Sequence, residues 1–409
     1  MLTANPRATR TPYPAELKEI LSIDNAQESR AWLACWDKIA PGATPLHELP
    51  GLAAKLGIGN LAVKDEAERS VLGSFKALGA PIALVRLILR LWPNHDLDPR
   101  ALFKGRYRDL LTHFTVISAT DGNHGKGLAA AAQTLGCHCV IVLHANVSVE
   151  REQAIAAYGA EIIRITGNYD ESVEEAARLA AANGWHVVSD TSYDGYEDIP
   201  RDVMQGYGTI AAEIVEQSDS QPGQSAFTHV FLQGGVGGLT AGLVSYLWEL
   251  HGEHRPRFIV VEPKQADCLY QSALAGHASR ATGSVDSVMA GLACGETSPL
   301  AWKFLQPAVD DFMTISDDDA VAAMRTLASG SEGDTPIVAG ESGVAGLAGL
   351  TVLLQDPQLA RVISLDHTSS VLLVNTEGAT APATYRELVG ETAESVHARQ
   401  STWRANAIA

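Results

Sequence analysis

The chain has 409 residues, 46% hydrophobic, 19% charged and 6% aromatic, with a formal net charge of −18. That length allows two or three domains with a sizeable core, and the apolar share excludes intrinsic disorder, a collagen repeat and a sustained heptad pattern. Thirty Lys and Arg stand against 48 Asp and Glu, and the first 80 residues carry nine of each sign, so nucleic acid and anionic membranes are not expected partners.

In chain order, apolar runs rich in β-branched residues predict strands at Leu61–Lys64, Phe114–Ser118, Cys137–Leu143, Glu161–Ile165, His186–Ser189, His229–Gln233, Phe258–Glu262, Phe312–Ile315 and Val371–Asn375. Helical periodicity lies between them, as at Val149–Tyr158, Glu171–Ala182, Asp202–Glu216 and Asp317–Ala328. Ser316 with Asp319 three residues on gives the last of these an N-cap signal. Strand–helix alternation implies parallel sheets covered on both faces. Nine strands with a loop-rich break at Ser189–Pro200 suit two sheets better than one. The polar, Pro-punctuated segment Trp92–His113 reads as an inserted helix and loop, and its Arg100–Arg108 patch as a solvated face.

Five scattered cysteines are too few for a secreted disulfide scaffold, and the N-terminus lacks an apolar leader, so a reducing, cytoplasmic setting is expected. The uncharged stretch Ser220–Trp248 is broken by Pro222 and several glycines and does not read as a membrane span. Cys137, His138 and Cys139, with His144 beyond, miss the usual zinc spacing and alternate faces along a strand, so no metal site is expected.

Three motifs carry chemistry. Gly234-Gly235-Val236-Gly237-Gly238 follows the strand HVFLQ and precedes the helical LTAGLVSYLWEL. Side-chain-free residues let backbone N–H groups converge, and the helix N-terminus adds positive potential, which suits a phosphate. No Lys-Ser/Thr pair follows, and the third position of a dinucleotide fingerprint falls on Thr240, so a monophosphate on a non-nucleotide cofactor remains. Lys76 sits in the run from Arg69 to Ala77 at a helix start after a strand, where position alone would read as a surface charge. Thr120-Asp121-Gly122-Asn123-His124-Gly125 lies at the carboxyl end of the strand FTVIS, where ligands bind in open α/β sheets. Asn123 can hydrogen-bond a phenolate-type oxygen, and the flanking N–H groups a carboxylate.

Taken together, Ser74-Phe75-Lys76, the asparagine loop and the glycine loop, in that order, resemble the fold-type II enzymes of pyridoxal 5'-phosphate (PLP). The segment Asp190–Pro200, then Met204-Gln205-Gly206-Tyr207, Asp121 and Asn375-Thr376-Glu377-Gly378 resemble the diaminopropionate ammonia-lyase family over roughly residues 30–390. The resemblance implies two lobes, each with a mostly parallel sheet flanked by helices and the cofactor between them. Residues 1–80 and 205–409 would form the large one, and 81–204 a small mobile one with the asparagine loop. It also implies a homodimer. It assigns the Schiff base to Lys76, the phosphate to Gly234, Gly235, Val236, Gly237 and Gly238, the ring oxygen to Asn123 beside Phe75, and the pyridine nitrogen to Thr376. Lys76 would be the base for the L enantiomer and Asp121 for the D enantiomer, unless Asp121 is only a helix cap. Thr120, Asp121, His124 and Asp190 would contact substrate. A Cys268–Cys294 disulfide near the pocket entrance would resemble a pair in some relatives.

An amine must be largely neutral to attack an aldehyde, so Lys76 is expected in a desolvated pocket that lowers its pKa. Asp190 would hold the β-ammonium of 2,3-diaminopropionate by a charge-assisted hydrogen bond. The expected reaction is elimination to pyruvate and two ammonia. The nearest rival is a dehydratase of serine, threonine or 3-hydroxyaspartate with the same cofactor. The more distant one is a non-catalytic protein that keeps only an anion loop.

Overall fold

The computed structural model describes the chain except Asp121, Asn168 and Ala409, and the side chains of Asp170, Ala407 and Ile408. Eleven strands are described: β1 Leu2–Ala4, β2 Leu46–Glu48, β3 Asn60–Asp65, β4 Thr115–Ala119, β5 His138–Leu143, β6 Glu161–Arg164, β7 His186–Val187, β8 His229–Gln233, β9 Arg257–Pro263, β10 Asp311–Ile315 and β11 Ser370–Asn375. They form a seven-stranded sheet, β1-β10-β9-β8-β11-β3-β2, and a four-stranded sheet, β6-β5-β4-β7. The smaller sheet is all parallel, and in the larger one only the edge strands β1 and β2 run antiparallel to their neighbours.

Alternation along each central strand divides the core. Val230 and Leu232 of β8, with Phe258 and Val260 of β9, face the helices Gly79–Leu91, Asp198–Gln217 and Gly238–His251. Phe231, Ile259 and Val261 face the other side, against Asp317–Ser329 and Ala345–Gln355. Both faces are therefore dry, and the strands read as unbroken apolar runs. The first core continues into the smaller sheet through Val116, Ile141 and the helix Asn123–Leu135. Cys137 and Cys139 turn into that core, whereas His138 is exposed beside Glu161. No helix among the described residues is long and apolar enough to cross a membrane.

Local signals explain the boundaries. Ser316 and Asp319 form a reciprocal capping box, with Asp317 and Asp318 also in the positive first turn. The Trp92–His113 segment holds two short helices, Pro99–Phe103 and Arg108–Leu111, not one. It is less polar in place than in sequence: Leu102, Phe103 and Leu111 are buried, and Arg108 donates to the carbonyls of Gln133 and Thr134 at 2.7 and 3.0 Å. β7 ends at Val187, and the break that follows is stapled by Tyr196, whose hydroxyl donates to the Val187 carbonyl and accepts from the Ser189 N–H.

Candidate active site

The carboxyl ends of β3, β8 and β11 face those of β4 and β7 across a cavity of about 770 Å³. Phe75, Lys76, Thr120, Asn123, His124 and Asp190 line it, as do Gly234, Gly235, Val236, Gly238 and Thr376. Residues more than 300 positions apart in sequence thus share one space. Asp121 lies outside the described residues.

Lys76 occupies a single tight turn, Phe75–Ala77, sewn to the segment after β11. Phe75 N–H donates to the Thr376 carbonyl at 3.0 Å, and Gly378 N–H to the Gly73 carbonyl at 2.9 Å. Seven residues upstream, Arg69 is no surface charge. Its guanidinium grips Glu66 and Glu213, every contact at 2.7–2.8 Å, and Lys64 reaches the same Glu213 at 2.7 Å, all four side chains being buried. A fully paired buried cluster adds little net stability, but breaking one member is costly, so it fixes where the lysine segment leaves β3.

The Lys76 ammonium is ion-paired with the Asp190 carboxylate and lies 5.2 Å from the Phe75 ring centroid and 5.9 Å from that of Tyr207. Burial alone would lower the lysine, but Asp190, with Tyr207, outweighs it and holds Lys76 above its ordinary value. The expectation of a lowered lysine is thereby corrected: the pocket is desolvated, yet it contains a counter-ion. Burial would likewise raise Asp190, and Lys76 together with His124 reverses this, holding the carboxyl below the usual range. His124 is 4% exposed; its Nε2 meets the Val188 carbonyl at 2.9 Å, and its Nδ1 stands 3.8 Å from Asp190 without a hydrogen-bond partner. Burial pushes this imidazole down. Thr120 spends its hydroxyl on the N–H groups of Gly122 and Gly125, at 3.2 and 3.3 Å.

The glycine loop does two jobs. Gly235, at φ +64°, turns the chain between β8 and the helix Gly238–His251. Gly237, at φ +100°, is not part of the cavity wall; a Cβ there would come within 3.0 Å of Ala301 and 3.2 Å of Leu305. Gly234 is pressed onto Glu262, where a Cβ would fall 2.4 Å from Cγ. Glu262 accepts N–H bonds from Leu269 and Tyr270, at 2.9 and 2.7 Å, yet full burial pushes it up to about 8. Beneath the loop there is thus a neutral carboxyl at pH 7, which does not repel a phosphate.

Asn123 Nδ2 donates to Glu377 at 2.5 Å, and Glu377 also accepts from Ser342 N–H at 3.2 Å. Neighbouring Glu341 is pushed up to about 7 by burial and by Glu377, and its salt bridge to Arg151, at 3.1 Å, ties the helix Val149–Ala156 to the far side of the cleft. Glu262, Glu341 and Tyr207 were not assigned roles from sequence, and Glu377 was seen only as a member of its motif. Cys268 and Cys294 are not joined by a disulfide; the Cys268 thiol lies 3.4 Å from the Gly235 carbonyl, and Cys294 Sγ 3.7 Å from where a Gly235 Cβ would sit. Away from the cleft, His47, Asp65 and Glu68 place one ligand atom each within 4.8 Å, but Asp65 is already bonded to Asn375 and Ala67, and Glu68 to Arg404.

The model of the family "Pyridoxal-phosphate dependent enzyme" matches residues 38–376. Diaminopropionate ammonia-lyase of Escherichia coli K12 is 39% identical over 352 residues, covering 85% of this chain and 87% of its own. The fold superposes on crystal structures of the E. coli enzyme. The holo form gives a TM-score of 0.86 at 35% identity, covering 95% and 96% of the two chains. A complex with an aminoacrylate-PLP azomethine reaction intermediate gives 0.84, at the same identity and coverage. The chain therefore belongs to the pyridoxal-phosphate dependent enzymes and, within them, to the diaminopropionate ammonia-lyase family.

Proposed function

We propose that this chain eliminates ammonia from 2,3-diaminopropionate, as the D or L enantiomer or both, yielding pyruvate and two ammonia in all. The observation that carries the reading is the Lys76–Asp190 pair, one amine and one half-buried carboxylate facing a glycine loop across a single cavity. The cavity residues fit the cofactor, with a lysine at one end and, at the other, loop N–H groups over the Glu262 carboxyl, which burial pushes up to about 8. PLP supplies an aldehyde for the substrate amine and a sink for the electrons left when the α-proton departs.

The rest falls to the protein. Gly234, Gly235, Val236 and Gly238 would hold the phosphate, Gly237 keeps the loop against Ala301 and Leu305, and Phe75 and Asn123 would border the ring. For Asn123 to meet the ring oxygen, its amide must leave Glu377. Thr376 lines the cavity and would meet the pyridine nitrogen, where a hydroxyl would leave that nitrogen unprotonated, a weaker sink that favours fast loss of a β-substituent over transamination. Thr120 and His124 border the substrate.

Asp190 cannot serve two cations at once. When the substrate β-ammonium takes it, Lys76 loses the partner that raises its pKa, and desolvation then favours the neutral amine that can accept the α-proton. Asp121 would play that part for the D enantiomer. The β-amine leaves as ammonia, and the released aminoacrylate adds water, giving pyruvate and the second ammonia. Residues 81–204 are proposed as the mobile small lobe, since β4 to β7 all come from it. A homodimer and a cytoplasmic setting rest on the family resemblance and the sparse cysteines.

The test is product stoichiometry on purified, PLP-loaded protein. Two ammonia per pyruvate from diaminopropionate is expected. A greater kcat/KM on serine, with one ammonia per pyruvate, would replace this reading with a dehydratase.

A further inference from the structure

Tyr207 lies on the helix Asp198–Gln217, is 1% exposed, and presents its ring to the cavity. Its hydroxyl is buried with no hydrogen-bond partner, whereas buried tyrosines ordinarily find one. The ring is held by design of its neighbours. It packs on Phe75 with centroids 4.8 Å apart. A Cβ on Gly79 would fall 2.7 Å from its Cε1, and one on Gly242 would fall 2.9 Å from its Cβ. Three helices therefore leave room for this ring and fix an unsatisfied hydroxyl beside the lysine.

We infer that Tyr207 is a positioning residue for Lys76: its phenol oxygen accepts a hydrogen bond from the Lys76 ammonium once the substrate has claimed Asp190. This rests on the reading that the substrate cation takes Asp190. In accepting the α-proton, Lys76 becomes a cation in a water-poor pocket whose carboxylate is already occupied. An ammonium has three N–H donors and no means of leaving one unmatched cheaply. The groups facing Lys76 are Asp190, Tyr207, Cys294 and, across Asp190, His124; those facing Tyr207 are Lys76 and Asp190. His124 is buried in its neutral form and Cys294 is a thiol, so Tyr207 is the remaining oxygen of this group. Burial keeps its phenol protonated throughout the working range, so it accepts through a lone pair and adds no charge that would trap the lysine.

Tyr207→Phe keeps the ring that fills the slot and removes only the oxygen. In the PLP-loaded enzyme, kcat on diaminopropionate should fall about tenfold or more, the worth of one hydrogen bond to a charged group, with KM unchanged. A second readout is independent of turnover. After cofactor removal, the rate at which Lys76 condenses with pyridoxal, an aldehyde without phosphate, rises with pH as the amine deprotonates. Losing an acceptor for the ammonium lowers that pKa, so in an Asp190→Asn background, where the carboxylate no longer holds the lysine, Tyr207→Phe should move the midpoint to lower pH by about half a unit or more. A midpoint that stays at the value of Asp190→Asn alone, with or without a fall in melting temperature, would assign Tyr207 to packing and overturn the inference. If the midpoint moves but wild-type protein leaves diaminopropionate untouched, the substrate reading fails and the Tyr207–Lys76 link stands.

Discussion

Replacing Asp190 by Asn separates charge from shape at the point where substrate and lysine compete. The side chain stays isosteric, and Lys76 and its turn remain anchored through Phe75 N–H to Thr376 and Gly378 N–H to Gly73. What disappears is a carboxylate held below its usual pKa by Lys76 and His124. A hydrogen bond between charged groups contributes about 1.5–3 kcal/mol, so kcat/KM on diaminopropionate should fall roughly 10- to 150-fold. Activity on serine, whose β-hydroxyl makes no ion pair, should change less, and the preference for diaminopropionate over serine should shrink by a similar factor. A second consequence follows from the same geometry. With Asp190 gone, burial acts on Lys76 against only Tyr207 and Cys294, so the lysine titrates at lower pH and cofactor loading should begin at lower pH than in wild type. The assays are kcat/KM on both substrates and cofactor absorbance against pH. Undiminished turnover of diaminopropionate would show that Asp190 does not hold the β-ammonium, and the argument for substrate choice would fall with it.

Lys76→Ala should abolish both the absorbance of the protein–cofactor link and turnover; a coloured, active variant would mean that another amine carries the cofactor. Gly206→Ala sets two effects against each other: alanine favours a helix by about 1 kcal/mol, but its Cβ would fall 2.2 Å from the Leu78 carbonyl oxygen at the start of a packed helix. Overpacking against backbone costs about 1–3 kcal/mol, so chemical denaturation should report a net loss, and a gain would mean that the two helices part easily. Glu262 keeps its proton in the fold up to about pH 8, against 4.5 for an ordinary glutamate. The folded state then binds more protons than the unfolded one across that window, so stability contributed by this group falls as pH rises from about 4.5 to 8. Glu262→Gln should flatten that part of the stability–pH curve, and an unchanged slope would place the proton elsewhere.

The strands β3, β4, β5 and β8 to β11 were legible because both their faces are largely buried, which leaves an apolar run with no helical period, whereas β6 and β7, half exposed at the edges of the smaller sheet, were read from β-branched residues alone. β1 and β2 were not, since three residues on a half-covered antiparallel edge carry too little pattern. Polarity misled at Trp92–His113, where Phe103 and Leu111 are core residues set among charges. In the site, the lysine, the asparagine loop and the glycine loop announced themselves because each needs a rare local combination. Glu262 did not: a glutamate at a strand end is ordinary, and its depth is set by Gly234, 28 positions earlier. The charge state of Lys76 was read with the wrong sign for the same reason. Sequence shows that the amine needs a dry pocket, but only the fold shows which carboxylate, 114 positions away, shares it.

That shared carboxylate joins the two halves of the chemistry. A lysine in an apolar pocket with no counter-ion would be neutral at rest, ready to attack any aldehyde but poorly able to hold the proton it must later accept. A lysine permanently paired with Asp190 would hold a proton but could not remove one. Here the partner is one the substrate itself can claim, because both cations need the same carboxylate oxygen atoms, which line one cavity. Binding a diamine thus leaves Lys76, once the substrate has displaced it from the cofactor, without a counter-ion at the moment the α-proton is within reach, whereas a hydroxy amino acid leaves Asp190 free to pair with it. Discrimination on this account lies in kcat as much as in KM. Serine would bind and stay largely unprocessed, and excess serine should therefore behave as a competitive inhibitor of diaminopropionate cleavage.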